Sequence, residues 1–456
     1  MNRAVSTFQS RLRALSPAQV LVIGFASLIL AGSLLLSLPV ASATGQPHRY
    51  LDALFTATSA VCVSGLVVVD TGTSFSPFGQ LVILALIQTG GLGFMTISTS
   101  LALLIGKRIG LRERLLIQEA FNQFNLSGLV RLIRHVLAVT LIFEGTGAIL
   151  LAMRFMSTMP FAQALYYGVF HSVSAFCNAG FDLFGRIYGP FSSLSAYVND
   201  WLVNSVVTAL IIIGGLGFTV LLDLQNFFRG GRLSLHTRLV ITVTVTLIVV
   251  GTVMVFLLEF NNPLTLGKLP PSGKVLASFF QAVTPRTAGF NTLDIGKFKE
   301  ATLFLMIILM FIGASPSSTG GGIKTTTLGS LMVTVWATIR GRKEVELYER
   351  RLPMETVFKS LTVALISLSL VILVTLILNV TEKFSFLEIL FEVTSAFGTV
   401  GLTTGITPFL SDLGRILIMA TMFSGRIGLF TIAVALARRM QVEGTYRYVE
   451  EKVIIG

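Results

Sequence analysis

The sequence predicts an all-α integral membrane protein: four tandem helix–pore loop–helix units in a pseudo-fourfold arrangement around one central pore. Three observations predict it. Hydrophobic residues make up 53% of the 456-residue chain and charged residues only 12%, with a mean hydropathy of +0.81. Soluble domains carry about 25% charged residues, so a soluble enzyme is nearly excluded. Uncharged stretches close to the ~20 residues that cross a hydrocarbon core recur along the chain. Between them, one short apolar motif ending in glycine appears four times at nearly even spacing, the mark of a repeat architecture.

The first crossing is residues 20–38. Arg3, Arg11 and Arg13 precede it. The run exceeds the ~7–15 residues of a signal-peptide core, so it reads as a retained helix with its basic flank inside. Residues 81–105 cross next, then 136–153, with Glu144 inside, then 201–222 and 239–258. Residues 303–339 are apolar at both ends. They are interrupted by Gly313-Ala314-Ser315-Pro316-Ser317-Ser318-Thr319-Gly320-Gly321-Gly322, a run that disfavours continuous helix. Residues 361–380 and 416–437, the latter with Arg426 near its middle, complete eight crossings.

Within each pair lies an apolar segment too short to cross. Phe55 to Leu66, Phe170 to Phe181, Phe279 to Phe290 and Phe391 to Leu402 align without gaps, each with Phe ten residues before its glycine. Those glycines, Gly65, Gly180, Gly289 and Gly401, are 115, 109 and 112 positions apart. A quarter of the chain is 114 residues, which gives units at 1–125, 126–235, 236–350 and 351–456. Two crossings per unit return the chain to its starting side. The repeats are therefore parallel, and parallel repeats gather around an axis along the membrane normal. Charge placement agrees. Of the 34 Lys and Arg, 22 fall in the N-terminus and the four segments after each second helix, which the positive-inside tendency assigns to the cytoplasm with both termini. The net charge of +12 is thus a topological signal, not a nucleic-acid surface.

Non-helical backbone at membrane depth survives only where protein or water covers it. Four such backbones around an axis can present carbonyl oxygens to a dehydrated cation, as the Thr-Val-Gly-Tyr-Gly loops of potassium channels do. The candidate filter is Val63-Ser64-Gly65-Leu66, Asn178-Ala179-Gly180-Phe181, Thr287-Ala288-Gly289-Phe290 and Thr399-Val400-Gly401-Leu402. Each segment has one glycine where the channel loop has two. One such glycine alone would be read as close helix packing; four at equivalent positions are not explained that way.

These motifs stand with Thr284-Pro285-Arg286-Thr287, Ser318-Thr319-Gly320-Gly321-Gly322-Ile323-Lys324-Thr325 and Ser424-Gly425-Arg426-Ile427-Gly428. On them the chain resembles the Trk/Ktr/HKT superfamily of cation transporters over essentially its whole length, and within it the Ktr-type membrane subunit. The resemblance implies potassium (K+) uptake across a bacterial inner membrane, sodium (Na+) stimulation in some members, and no cofactor bound by this chain. Gly65 stands where sodium-preferring plant relatives often carry Ser, which is the potassium-favouring pattern. The resemblance further implies a homodimer with the tail, residues 446–456, near the contact. It also implies a separate cytosolic ring of nucleotide-binding regulatory subunits on the cytoplasmic loops. Those basic loops alternatively meet only membrane lipid. The run from Gly313 to Gly322 corresponds to an intramembrane gate loop, and Lys324 at its end is either part of that gate or a cytoplasmic-side anchor.

Gly90-Gly91-Leu92-Gly93 and Gly214-Gly215-Leu216-Gly217 recur in the second helices, and Arg426 takes the position of Gly91 and Gly215. An intramembrane charge is costly and usually faces a bundle interior or a water-filled path. Arg426 is expected to line the path below the filter as part of the gate; the alternative is a buried Arg paired with backbone carbonyls or with Glu144. Cys62 and Cys177, three residues before their glycines, read as small packing residues. Arg286, at the same offset, reads as a brace behind the filter. Asp70, Asp182, Asp294 and Asp412 fall near the predicted outer mouth, as cation-concentrating charges or as solvated surface. The competing function is an alternating-access sodium- or proton-coupled symporter. It requires inverted repeats and paired intramembrane carboxylates, whereas the repeats are parallel and Glu144 stands alone. An enzyme requires a Ser/His or His/Asp/Glu cluster in the spans, and the sequence shows none.

Overall fold

Unit one contributes α1 (Pro17–Leu36), α2 (Tyr50–Cys62) and α3 (Pro77–Leu92). Unit two contributes α4 (Leu129–Phe155), α5 (Phe161–Phe176), α6 (Trp201–Leu216) and α7 (Phe218–Phe228). Unit three is α8 (Leu235–Glu259), α9 (Pro271–Val283), α10 (Glu300–Phe311) and α11 (Thr325–Ile339). Unit four is α12 (Met354–Thr381), α13 (Phe386–Gly398), α14 (Asp412–Ile427) and α15 (Leu429–Leu436). The structure, a computed structural model, describes residues 16–93, 96, 129–342 and 344–436. The basic N-terminal flank, basic residues 107–114, the unit boundary at 125/126 and the tail 446–456 lie outside the described residues.

Local sequence starts these helices. Ser16 and Gln19 form a capping box at α1, and Ser385 and Glu388 form one at α13. Ser76, Asp200, Ser234 and Ser411 side chains cap α3, α6, α8 and α14, each a contribution of about 1 kcal/mol. Inside lipid, the helix is then the one local form that satisfies every backbone group. The first helix of each unit is unbroken. The apolar windows of α1, α4, α8 and α12 have mean hydropathies of 2.1 to 2.9, and only 28–39% of each window is buried in the protein. Their outer faces carry side chains such as Leu141, Leu257 and Val380, the apolar surface that a bilayer covers.

The second helices depart from the continuous crossings expected at 201–222 and 416–437. α6 and α7 meet at 98°, pivoting on Gly217 with φ +92°. α14 and α15 join at Gly428 (φ +88°), and α3 ends at Gly93 (φ +80°). An L side chain in that left-handed region costs roughly 1–2 kcal/mol, which glycine escapes. In unit three the same place opens into the segment between α10 and α11, closed at its neck by a parallel bridge between Ile312 and Ile323. The second helices of units two to four therefore break where they reach the centre, and α3 ends at the matching glycine.

The four re-entrant helices α2, α5, α9 and α13 form the core. Phe55, Phe170, Phe280 and Phe391 are fully buried there. The chain links units one to two, two to three and three to four, but the seam between four and one has no covalent link. Ion pairs fasten it: Arg415 to Asp52 at 2.6 Å and Arg49 to Asp412 at 2.5 Å. Arg415 and Asp52 are 13% and 19% exposed, against 57% and 54% for Arg49 and Asp412. Arg415 also donates to the Leu410 and Pro408 carbonyls. Burial decides which pair matters, since exposed pairs contribute little and breaking a buried one is severe. Arg415→Ala is expected to lower stability by about 2 kcal/mol, read by thermal unfolding in detergent, and Arg49→Ala far less. Equal losses would place the seam's strength elsewhere.

Candidate functional site

Each re-entrant helix runs into a short irregular segment that carries its glycine. It is a strand only in the loose sense that its backbone leads away from the helix without a ladder partner. In every unit the glycine and the residue two before it are both left-handed. The φ values are 57° and 85° at Val63 and Gly65, and 59° and 69° at Asn178 and Gly180. They are 71° and 79° at Thr287 and Gly289, and 50° and 92° at Thr399 and Gly401. Ser64, Ala179, Ala288 and Val400 between them are not. In an extended strand successive residues face opposite sides. Alternating hand instead turns successive peptide groups the same way and gathers their carbonyl oxygens on one side. Left-handed Val and Thr are strained, and such strain persists where the surroundings over-determine it. The left-handed backbone recurs at this position in all four units, strained at Val63, Thr287 and Thr399 and readily adopted by Asn178.

The strands close a ring. A Cβ added at Gly65 would lie 2.5 Å from the Ala179 carbonyl oxygen, at Gly180 2.8 Å from that of Ala288, and at Gly289 2.5 Å from that of Val400. At Gly401 it would run into the Ser64 carbonyl oxygen. Each glycine thus abuts the carbonyl preceding the next unit's glycine, in the order one, two, three, four, one. The C-terminal ends of the four re-entrant helices adjoin this ring. Their partial negative charge favours a cation at its centre.

Hydrogen bonds hold the strands to their helices. Ser64 N donates to Ser59 O at 2.8 Å, Ala179 N to Ser174 O at 2.7 Å, and Val400 N to Ser395 O at 2.8 Å. In unit three Ala288 N donates to Thr284 O at 2.9 Å, across four residues instead of five. Phe280, not Phe279, is the fully buried ring there. The gapless alignment is therefore off by one before Gly289, because unit three reaches its glycine in one residue fewer. Hydroxyls at these positions also reach past the glycine: Ser174 Oγ donates to Phe181 O at 2.8 Å and Thr284 Oγ1 to Phe290 O at 2.5 Å. Ser395 Oγ accepts from Gly401 N at 3.1 Å. Sequence reasoning passed over these struts, although Ser174 and Ser395 already stood in register; Ser59, in the same register, leaves its hydroxyl without a partner. Cys62 and Cys177 are buried and in no disulfide. Arg286 is 5% exposed. Its carbonyl accepts from Asn178 Nδ2 at 3.2 Å, while its Nε has no hydrogen-bond partner, so the expected brace is not made at that atom.

Beneath the ring lies the segment Gly313 to Gly322. Gly313 N donates to Ile323 O and Ala314 N to Gly321 O, closing it on itself. Ser315 N reaches Gly215 O at 3.0 Å, Thr319 N reaches Gly214 O at 3.4 Å, and Phe218 N donates to Ser317 O at 2.9 Å, all at the break in unit two. Gly321 N donates to Thr399 Oγ1 of unit four at 2.9 Å. Lys324 Nζ folds back on Gly320 O at 2.7 Å. From α14, the Arg426 guanidinium donates to Thr319 O in this segment and to Gly90 O and Gly91 O in unit one, the last at 3.0 Å. One side chain of unit four thereby ties unit three to unit one. Its partners are backbone carbonyls and not Glu144, which instead accepts from Gln88 Nε2 at 3.2 Å and from the Cys177 thiol.

Above the ring is a cavity of about 70 Å³, lined by all four glycines together with Asp70, Asp182, Asn291 and Thr403. A wider cavity of about 320 Å³ adjoins it and includes Asp294. Asp70 accepts from Thr73 N and Phe191 N, both at 2.8 Å. Asp182 accepts from Phe184 N at 2.9 Å. Burial, then the nearby Asp70 charge, pushes the Asp182 carboxyl up to about 7. Asp294 pairs with Lys297 at 3.0 Å, and Asp412 belongs to the seam. The four aspartates thus divide, with Asp70 and Asp182 at the ring and the other two farther out.

A closed ring of four re-entrant strands, set among helices with lipid-facing apolar surfaces and blocked on one side by a broken helix, defines a multi-pass, pore-type membrane protein. The family model of TrkH cation transport proteins matches residues 3–446, and the chain belongs to that family. It is 45% identical over 441 residues to Ktr system potassium uptake protein B of Bacillus subtilis, covering 97% of each chain. It is 40% identical to the potassium/sodium uptake protein NtpJ of Enterococcus hirae, covering 97% of this chain and 98% of that one. It is 41% identical to Ktr system potassium uptake protein B of Vibrio alginolyticus, covering 96% and 94%. Among solved structures, the potassium transporter TrkH from Vibrio parahaemolyticus shares the fold with a TM-score of 0.72 at 18% identity, over 93% of this chain and 86% of that one.

Proposed function

We propose that this chain takes up potassium across a bacterial inner membrane, through a filter made by the ring around Gly65, Gly180, Gly289 and Gly401. The observation that carries the reading is the alternating backbone hand in all four strands, which supplies the carbonyl oxygens that replace a cation's water. The names of the relatives support potassium, and one adds sodium. The segment from Gly313 to Gly322, with Arg426 and Lys324, is the gate, because it fills the space directly under the ring. The chain works as a homodimer with cytoplasmic termini, and a cytosolic ring of nucleotide-binding subunits acts on its basic cytoplasmic segments. Two of the relatives are named as parts of a Ktr system, which fits a multi-subunit assembly. Rubidium (Rb+) flux in proteoliposomes at several potentials tests the reading. The expected flux follows the potential without fixed stoichiometry; a flux locked to a set number of sodium ions or protons would favour a symporter.

The mouth adds a pH dependence. Asp182 is charged above about 7 and neutral below it, so acidification removes negative charge from the entrance. Between pH 8 and pH 6 the apparent KM for rubidium is expected to rise roughly two- to threefold. In Asp182→Asn it should stay high and flat. A flat wild-type profile would remove Asp182 from cation entry.

A further inference from the structure

Two of the residues that stand two before a filter glycine, Thr287 and Thr399, meet the gate loop. Gly321 N donates to Thr399 Oγ1 at 2.9 Å. A Cβ added at Gly321 would lie 2.5 Å from the same oxygen, and one at Gly320 would run into Thr287 Oγ1. Thr287 Oγ1 in turn accepts from Asn178 Nδ2 at 3.1 Å. Asn178, Thr287 and Thr399 are all fully buried, and all three carry the left-handed φ on which the filter's alternation depends. Thr287 and Thr399 therefore set both the backbone of the filter and the seat of the loop, and Asn178 holds the Thr287 hydroxyl from the side. Unit one has Val63 there, with no polar group to offer, and Arg426 reaches that unit through Gly90 and Gly91 instead. The oxygen Oδ1 of Asn178 has no hydrogen-bond partner, and a buried acceptor without one needs an explanation.

We propose that Thr399, with Thr287 and Asn178 beside it, is a latch that couples the gate loop to the filter and sets cation selectivity at the filter's inner end. With the loop seated, the Gly321 amide occupies the Thr399 hydroxyl and the loop backbone covers Thr287. When the loop leaves, both hydroxyls join the Asn178 amide oxygen, already without a partner, in facing a cation that is shedding or regaining water. The three consecutive glycines, Gly320 to Gly322, are what let the loop come this close. The inference rests on the filter and gate reading above, so its test needs a readout that does not depend on transport.

Hydrogen exchange of the full chain in lipid nanodiscs supplies that readout. Thr399→Val keeps the shape and removes the hydroxyl; Thr399→Ser keeps the hydroxyl. The latch predicts that Thr399→Val speeds exchange of the amides of residues 319–322 by roughly three- to tenfold, leaves the amides of α8 unchanged, and lowers the preference for rubidium over sodium flux. Thr399→Ser should keep the wild-type exchange of residues 319–322. Unchanged loop exchange in Thr399→Val overturns the latch whatever the flux does, as does a Ser variant that fails like Val. A rise spread over α8 as well marks general loosening and also counts against it. If wild type carries no rubidium while the loop still loosens in Thr399→Val alone, the contact stands and the transport reading falls.

Discussion

Gly401→Ala is expected to cut rubidium uptake about 100-fold, the scale of loss that a ~1 Å misplacement at a reacting centre produces. The new methyl runs into the Ser64 carbonyl oxygen, and the Gly65 Cα lies 2.9 Å from it. Both obstacles are backbone of the neighbouring strand, so no side chain can rotate away. Relief requires units four and one to part, which pulls one carbonyl out of the ring. Gly401 also sits at φ +92°, where an L residue is strained by roughly 1–2 kcal/mol. Gly405 separates the two causes. Its φ is +104°, yet an added Cβ there meets nothing within 4 Å. Gly405→Ala therefore carries the backbone strain without the collision, and its uptake should stay within about threefold of wild type. Uptake by membranes with matched protein levels compares the two; equal losses would trace the effect to strain and not to the ring.

Much of this site is legible in the amino-acid string alone, because a membrane turns folding into a nearly linear code. Crossing length, the charge of flanking segments and a motif repeated every 109 to 115 residues are all properties of the string. Four equivalent glycines are visible for the same reason. The rest depends on what a string does not carry. Gly217 within an apolar run reads equally as packing or as a break, and only its left-handed φ decides. Phe279 and Phe280 are adjacent and identical, so alignment cannot tell which one faces the core. Arg415 and Asp52 are 363 residues apart, and nothing local announces that they meet. Arg426 is conspicuous as a charge, and the sequence offered backbone carbonyls or Glu144 as its alternative partners without a means to choose, because carbonyls leave no mark in sequence; the structure has the carbonyls. Arg286 shows the converse: its position suggested a hydrogen-bonded brace that its buried Nε does not make.

Arg426→Ala is expected to raise resting rubidium flux at least about tenfold. The argument is one of balance. The guanidinium supplies the bonds to Thr319, Gly90 and Gly91, and a hydrogen bond from a charged donor contributes about 1.5–3 kcal/mol. Losing them frees the loop from unit one, while removing a cation from membrane depth relieves a standing penalty. The two effects oppose each other in overall stability but, under the proposed gate, act together on flux, since both the segment's tie and the positive charge beneath the ring disappear. Arg426→Lys distinguishes them. It keeps the positive charge, yet a single ammonium cannot span carbonyls in two units as the planar fork does. Its resting flux should fall between wild type and Arg426→Ala. If Arg426→Lys is as closed as wild type, charge alone holds the gate; if it leaks as freely as Arg426→Ala, the bonds do. Deleting Gly320 to Gly322 should leak in every background, because it removes the contacts to Thr287 and Thr399 as well. A deletion that stays closed, together with unchanged flux in Arg426→Ala, would show that the segment beneath the ring is not the gate.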